Sequence, residues 1–372
     1  MYSTMVENTI KKLSDIPQKL NDAEALEFFV ANIQPKLPDS TVRLILKGII
    51  ANTARHLASL DFPEKEYRLV KRIKDLKQVT FDTDAANEQH YEVPTDFFHK
   101  HLSVRLKYSA SDWRGVKSLD EAEEQTIKKY QQKLGLAELP PGSRVLEIGN
   151  GWGSLCLANA RRFPQLVFDA FSNSATQVSY IQKQATKEGL NNLNVWKQDV
   201  DEFVRDESTE AGKYERIVSI ECIEHARAYH LLFAKMRHVL KDEGHCFVQI
   251  LGHREYSYLM NQNSWMGRNF FTGGTIPSMN LFRHFNDDLV VTENEVLGGL
   301  NYSKTLDFWL EEMYKRKDEI MPILVDHCKG DEAEARKLFQ GWRMFYLMCS
   351  VCFGHNKGKD WLVGWFILRP RR

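Results

Sequence analysis

Two clusters of side chains in this 372-residue sequence have the types and spacing to do chemistry. The first is Glu147 followed by glycines at alternate positions, Gly149, Gly151 and Gly153. A carboxyl group inside an apolar stretch is costly to bury unless something needs it. Glycines at a turn let the backbone approach a nucleotide-like ligand closely. The spacing is not the dinucleotide fingerprint G-x-G-x-x-G, because the third glycine comes one residue early. The second cluster is Glu221, Glu224 and His225. Two acids at one site push one carboxyl pKa upward, toward a useful general base. The plainer alternative is a solvated helix start, which the helix dipole also favours.

The elements that must position these groups follow from hydrophobic pattern and punctuation. Arg144 to Ile148 reads as a buried parallel strand, and Ser154 to Arg162 as the helix after the glycine turn. Val167 to Ser172, Asn192 to Lys197, Glu215 to Ile220 and His245 to Leu251 read as further strands. Helical stretches ending at Glu188 and Leu240 alternate with them. This order indicates an α/β fold with a parallel, doubly wound sheet. Ligands bind such sheets at the carboxyl ends of the strands. Glu147, Asn173, Gln177, Asp199 and Glu221 all fall at or near those ends, and core packing does not explain polar residues recurring there. Strands around Val290 to Leu297 and Trp361 to Leu368 are expected to add an antiparallel edge.

The run from Val145 to Leu155 resembles motif I of the S-adenosylmethionine-dependent methyltransferases. Further motifs resemble one subgroup, coclaurine N-methyltransferase and related plant alkaloid N-methyltransferases, itself similar to the cyclopropane fatty acid synthases. They are Ala86–Phe97 with Arg105–Ala110, Ser219-Ile-Glu-Cys-Ile-Glu-His225, Asn269–Pro277, Gly341–Phe345 and Phe353–Gly358. The resemblance spans about residues 85 to 370. It implies a Rossmann-like class I methyltransferase sheet and S-adenosyl-L-methionine as cofactor. By resemblance, Tyr108 and Ser109 contact the methionine moiety, where an aromatic face suits a sulfonium. For Tyr108 alone, packing between layers is the simpler alternative. Glu147 would order the loop, Gly149 and Gly151 would allow close approach, Asn173 and Gln177 would bond the ribose, and Asp199 with Val200 would bracket the adenine. Trp152 fits either the cofactor or the core.

The acceptor implied is the nitrogen of a small cyclic or aromatic amine. A protonated amine must lose its proton before it can attack, and a nearby carboxylate or imidazole can accept it. By resemblance Glu224 and His225 form that dyad, and Glu221 helps hold the amine. The alternative is a cyclopropane-synthase-like C-methyltransferase acting on unsaturated acyl chains. Glu224, Tyr302 and Cys349 suit it, but Gln249 stands where those enzymes place a His. Other departures are Asn150 in the glycine loop, Ala226-Arg227-Ala228 after the dyad, and Leu251-Gly252-His253-Arg254 after the fifth strand.

Composition sets the frame. Zero formal net charge gives no global field toward nucleic acid or anionic membrane. The polar, charge-broken start and the lack of a long apolar run point to a cytoplasmic protein without stable membrane insertion. The six scattered cysteines read as reduced thiols, and no metal site is expected. Residues 1–115 are expected to form an N-terminal helical region with a cofactor-covering segment, which leaves a homodimer contact open. Residues 116–255 would form the cofactor-binding core, 256–345 an aromatic-rich acceptor-pocket insertion, and 346–372 the final strand.

Overall fold

The computed structural model describes residues 23–80, 93–203 and 212–372. Residues 86–92 of the Ala86–Phe97 motif lie outside them. A seven-stranded sheet forms the centre. Its strands are β1 (Arg144–Ile148), β2 (Val167–Ser172), β3 (Leu193–Lys197), β4 (Tyr214–Ile220) and β5 (Leu240–His253). After a small β6–β7 pair (Tyr258–Leu259 and Thr275–Ile276), β8 (Leu289–Leu297) and β9 (Trp361–Pro370) complete it. The order is β3-β2-β1-β4-β5-β9-β8, with β1 to β5 parallel and β9 antiparallel to both neighbours. The sheet therefore matches the α/β reading and its antiparallel edge. β5 begins earlier than the pattern suggests, because Leu240 pairs with Tyr214 before a register shift. The polar run Lys241-Asp-Glu-Gly244 hides that extension from a periodicity argument.

Alternation along each strand divides the core. Leu146, Ile148, Ile217 and Val248 pack under the helix Tyr229–Val239. Val145, Val218, Phe247 and Trp365 face the opposite layer, which contains the N-terminal helices Ala23–Phe28 and Asp39–Ala58 and the helices Leu300–Lys315 and Glu332–Gly354. Glu147 shares its face with Val145, two residues away, so it points into that helical layer. The helix Glu332–Gly354 runs across residue 345, where the sequence divides insertion from C-terminal part.

Charged side chains clamp the helix Asp39–Ala58 and the segment before it to this layer. Arg343 donates to Asp39 at 2.6 Å and to the carbonyls of Gln34 and Leu37 at 2.8 Å each. Arg43, on the helix Asp39–Ala58, reaches Asp307 at 2.6 Å. A guanidinium satisfied by several acceptors fixes geometry better than an apolar contact does. Among the described residues no helix is long and apolar enough to cross a membrane, and no group of three or more His, Cys, Asp or Glu could hold a metal ion.

Candidate active site

Above the carboxyl ends of β1, β2 and β4 lies a cavity of about 840 Å³. β1 delivers Glu147, and the chain then turns through Gly149, Gly151 and Gly153 at φ of 77°, 48° and 84°. Side chains rarely adopt this left-handed region. At Gly149 a methyl group would also lie 2.2 Å from Cys222 Sγ. The glycine turn is thus pressed against the segment that carries the two acids.

Glu147 is buried, its Oε2 has no hydrogen-bond partner among the described residues, and burial pushes its pKa up to about 8. Both polar side-chain atoms of Asn150 are likewise buried without a partner. Unsatisfied buried groups are uncommon, and here they surround a cavity. Tyr108, Ser109, Gly149, Gly151, Asn173, Gln177, Asp199 and Val200 all line it too. Asp169, in contrast, is taken up inside the sheet by Arg144 and Asn194. Trp152 lines the cavity and packs on Phe98 and Tyr180, so it serves wall and core together.

The acid cluster follows β4. Glu221 terminates the strand in a left-handed conformation, φ 46°, unusual for a side chain of this size. A 3-10 turn, Ile223–His225, then carries the other two groups. Glu221 and His225 line the cavity. Glu224 is buried just behind the wall, where its Oε1 accepts the Leu251 N–H at 2.6 Å. Burial, and then the charge of Glu221, raise the Glu224 pKa well above the carboxylate range. Burial lowers the His225 pKa to about 4, which leaves a neutral imidazole. Glu221 is raised by burial, but Lys107, the Ala110 N–H, the Gln249 amide and the Tyr302 hydroxyl oppose that rise.

Sequence reasoning missed several contributors. Lys107 is fully buried, lines the cavity and donates to Ser109 Oγ at 2.8 Å and to the Ala110 carbonyl at 2.5 Å. Burial lowers its pKa to about 8, against the pull of Glu221 and Glu123. A lysine in an otherwise apolar and hydroxylic segment, Leu106 to Ala110, was the available signal. The helix Asp39–Ala58, part of the N-terminal helical region, turns Ile49, Asn52, Thr53 and Leu57 onto the cavity. Thr80 reaches the cavity because Asp201 accepts its N–H at 3.0 Å and its hydroxyl at 2.6 Å. The aromatic-rich insertion, which the sequence does lead one to expect as the acceptor pocket, sends Trp265, Phe270, Phe271, Tyr302 and Phe345 to the same cavity.

The chain is similar to known proteins over most of its length. A sequence model of the mycolic acid cyclopropane synthetase family matches residues 79–356. (S)-coclaurine N-methyltransferase of Thalictrum flavum subsp. glaucum is 27% identical over 343 residues, covering 90% of this chain and 93% of that protein. Cyclopropane-fatty-acyl-phospholipid synthase of Escherichia coli strain K12 is 27% identical over 275 residues, covering 73% of this chain and 64% of that protein. A crystal structure of coclaurine N-methyltransferase, bound to N-methylheliamine and SAH, superposes with a TM-score of 0.84 at 25% identity, covering 92% of this chain and 98% of that one.

Proposed function

The chain belongs to the mycolic acid cyclopropane synthetase family, and on that premise we propose that it is an S-adenosyl-L-methionine-dependent N-methyltransferase. Its acceptor is the amine nitrogen of a small cyclic or aromatic molecule. The observation that carries this reading is the cavity wall beside the glycine turn, where a multiply hydrogen-bonded Glu221 stands with a neutral His225.

The cavity fits the cofactor. The unpartnered Glu147 oxygen and Asn150 side chain offer polar partners, and Gly151 leaves open space beside the turn. Tyr108 and Ser109 would hold the methionine end, Asn173 and Gln177 the ribose, and Asp199 with Val200 the adenine. Bound there, S-adenosyl-L-methionine supplies a methyl group already activated on a sulfonium. What remains for the chain is alignment, dryness and proton removal. Glu221 draws a cationic amine to the wall. We assign His225, on the same turn as Glu224, to accept the amine proton as the nitrogen attacks. Burial holds its pKa at about 4, so this role requires the Glu221 carboxylate to favour the imidazolium during turnover. Tyr302, Trp265, Phe271 and the apolar face of the Asp39–Ala58 helix enclose the acceptor and exclude water.

A second reading has one supporting observation. Leu26, Ile49, Ile50, Leu57 and Leu60 give the cavity an apolar side that would also accept an acyl chain. Calorimetry with S-adenosyl-L-methionine, followed by a screen of amines and unsaturated phospholipid vesicles with labelled methyl donor, separates the two. Label on nitrogen supports the amine reading. Label only in acyl chains supports the lipid reading, and no binding heat removes the cofactor assignment.

A further inference from the structure

We propose that Gln249 is a positioning residue for methyl transfer: its side-chain amide, locked in one orientation by Tyr130 and Trp365, holds the Glu221 carboxylate on the wall where the acceptor's ammonium group seats. This role rests on the amine reading above. Gln249 is fully buried in the middle of β5, within the run Cys246 to Leu251. A polar side chain is costly there unless all its bonds are made. Sheet register sets Gln249 beside Ile220 of β4 and directly opposite Trp365 of β9. Its backbone carbonyl accepts the Glu221 N–H at 2.8 Å.

The orientation of the amide is forced. Trp365 Nε1 lies 2.7 Å from Gln249 Oε1, and an indole N–H can only donate. Tyr130 gives its hydroxyl to the same oxygen at 2.5 Å. The amide nitrogen must therefore face the other way, and it donates to Glu221 Oε1 at 2.6 Å. An amide N–H at that distance favours the ionised carboxyl, as do the Ala110 N–H at 3.0 Å and the Tyr302 hydroxyl. The titratable and charged groups acting on Glu221 from its surroundings are Lys107, Tyr130, Tyr302 and Glu224. Of the partners fixed here, Gln249 reaches the carboxylate from beneath the cavity floor and leaves the open side to a ligand.

The test compares wild type with Gln249→Met, which keeps length but cannot donate, and Gln249→His. An imidazole can accept from Tyr130 or Trp365 through one nitrogen and donate to Glu221 through the other. In Gln249→Met the acidic limb of kcat/KM for the amine should move to higher pH by about one unit, the scale of one lost hydrogen bond to a charged group. The amine KM should rise about tenfold, with cofactor Kd held within about twofold, as expected when only acceptor binding is touched. Gln249→His should return the limb to its wild-type position. If Gln249→Met does not fold, Gln249→Glu replaces it against Gln249→His, with the same displacement expected in the Glu variant alone. An unmoved limb and an unmoved KM in folded Gln249→Met, or equal limbs in the Glu and His variants, overturn the role. A wild-type protein that binds the cofactor yet methylates no amine overturns the amine reading instead, and this role with it.

Discussion

Glu221, at the end of β4, and Glu224, on the turn that follows, meet different surroundings. Glu221 lines the cavity and is held by Ala110, Gln249 and Tyr302, whereas Glu224 sits behind the wall with the Leu251 N–H on one oxygen. Neighbouring carboxyls whose environments differ in this way titrate apart, the less supported one keeping its proton longer. Glu221 is thereby suited to attract a cation and Glu224 to hold or pass a proton.

That division sets the expected mutant kinetics. Glu221→Gln should act on amine KM first, because it removes an attraction to the bound cation. Glu224→Ala and His225→Ala should cut turnover about 10²- to 10⁴-fold, the usual scale for a lost acid–base group. Cofactor affinity should stay nearly intact in both, read by calorimetry. Equal loss of turnover and cofactor affinity would mark the group as structural.

The glycine turn gives a graded pair. Gly149→Ala meets Cys222 Sγ at 2.2 Å as well as a φ of 77°, whereas Gly151→Ala meets nothing within 4 Å at a φ of 48°. Gly151→Ala should cost about 1–2 kcal/mol of backbone strain and weaken cofactor binding by occupying open space above the turn. Gly149→Ala should lower Tm further than Gly151→Ala does. Thermal melts with cofactor titration order the two, and equal Tm loss would show that the Cys222 contact is slack.

Glu147 predicts a pH effect on the cofactor-free protein. Its folded pKa is raised by burial from the ordinary 4.5 to about 8. The folded state therefore binds the proton more tightly than the unfolded state does. The Glu147 contribution to stability is greatest below the ordinary carboxyl range and is lost as pH rises toward about 8. Between pH 5 and pH 8, wild type should lose at least about 2 °C more Tm than Glu147→Gln, the scale of roughly 1 kcal/mol in a sizeable chain. A cationic group of the cofactor placed at Glu147 would draw the carboxyl to its charged form. Cofactor binding near pH 7 should then release a proton, read as a buffer-dependent heat that is absent in Glu147→Gln.

The wall supplied by the Asp39–Ala58 helix is tested at Thr53, a half-buried residue on the cavity. Thr53→Phe should raise acceptor KM about tenfold or more, with cofactor Kd within about twofold, because bulk enters only the acceptor side. A change confined to cofactor affinity would relocate the acceptor.

The sequence carried most of what local chemistry determines. β1, β2 and the helix Ser154–Arg162 match their expected bounds residue for residue, because glycines and a short apolar run punctuate them. Glu147, Glu221 and His225 were readable as polar groups at strand ends, and they meet at one cavity. What the sequence withheld depends on long-range placement. Tyr130 is distant in sequence from Gln249, and no spacing links them; only the sheet and the capped helix Leu119–Leu134 bring them together. Gln249 itself was visible only as a departure from a family pattern. The N-terminal helical region yielded no site residue before Tyr108, because periodicity reports which face is apolar, not what that face encloses.

The most direct measurement is a crystal structure with S-adenosylhomocysteine and an amine found turned over in the labelled screen. The expected result is the thioether sulfur above the Gly149–Gly153 turn, with the amine nitrogen at hydrogen-bond distance from Glu221, about 2.7–3.2 Å, on the side of His225. A nitrogen seated elsewhere, with Glu221 and His225 facing only solvent or protein, would contradict it.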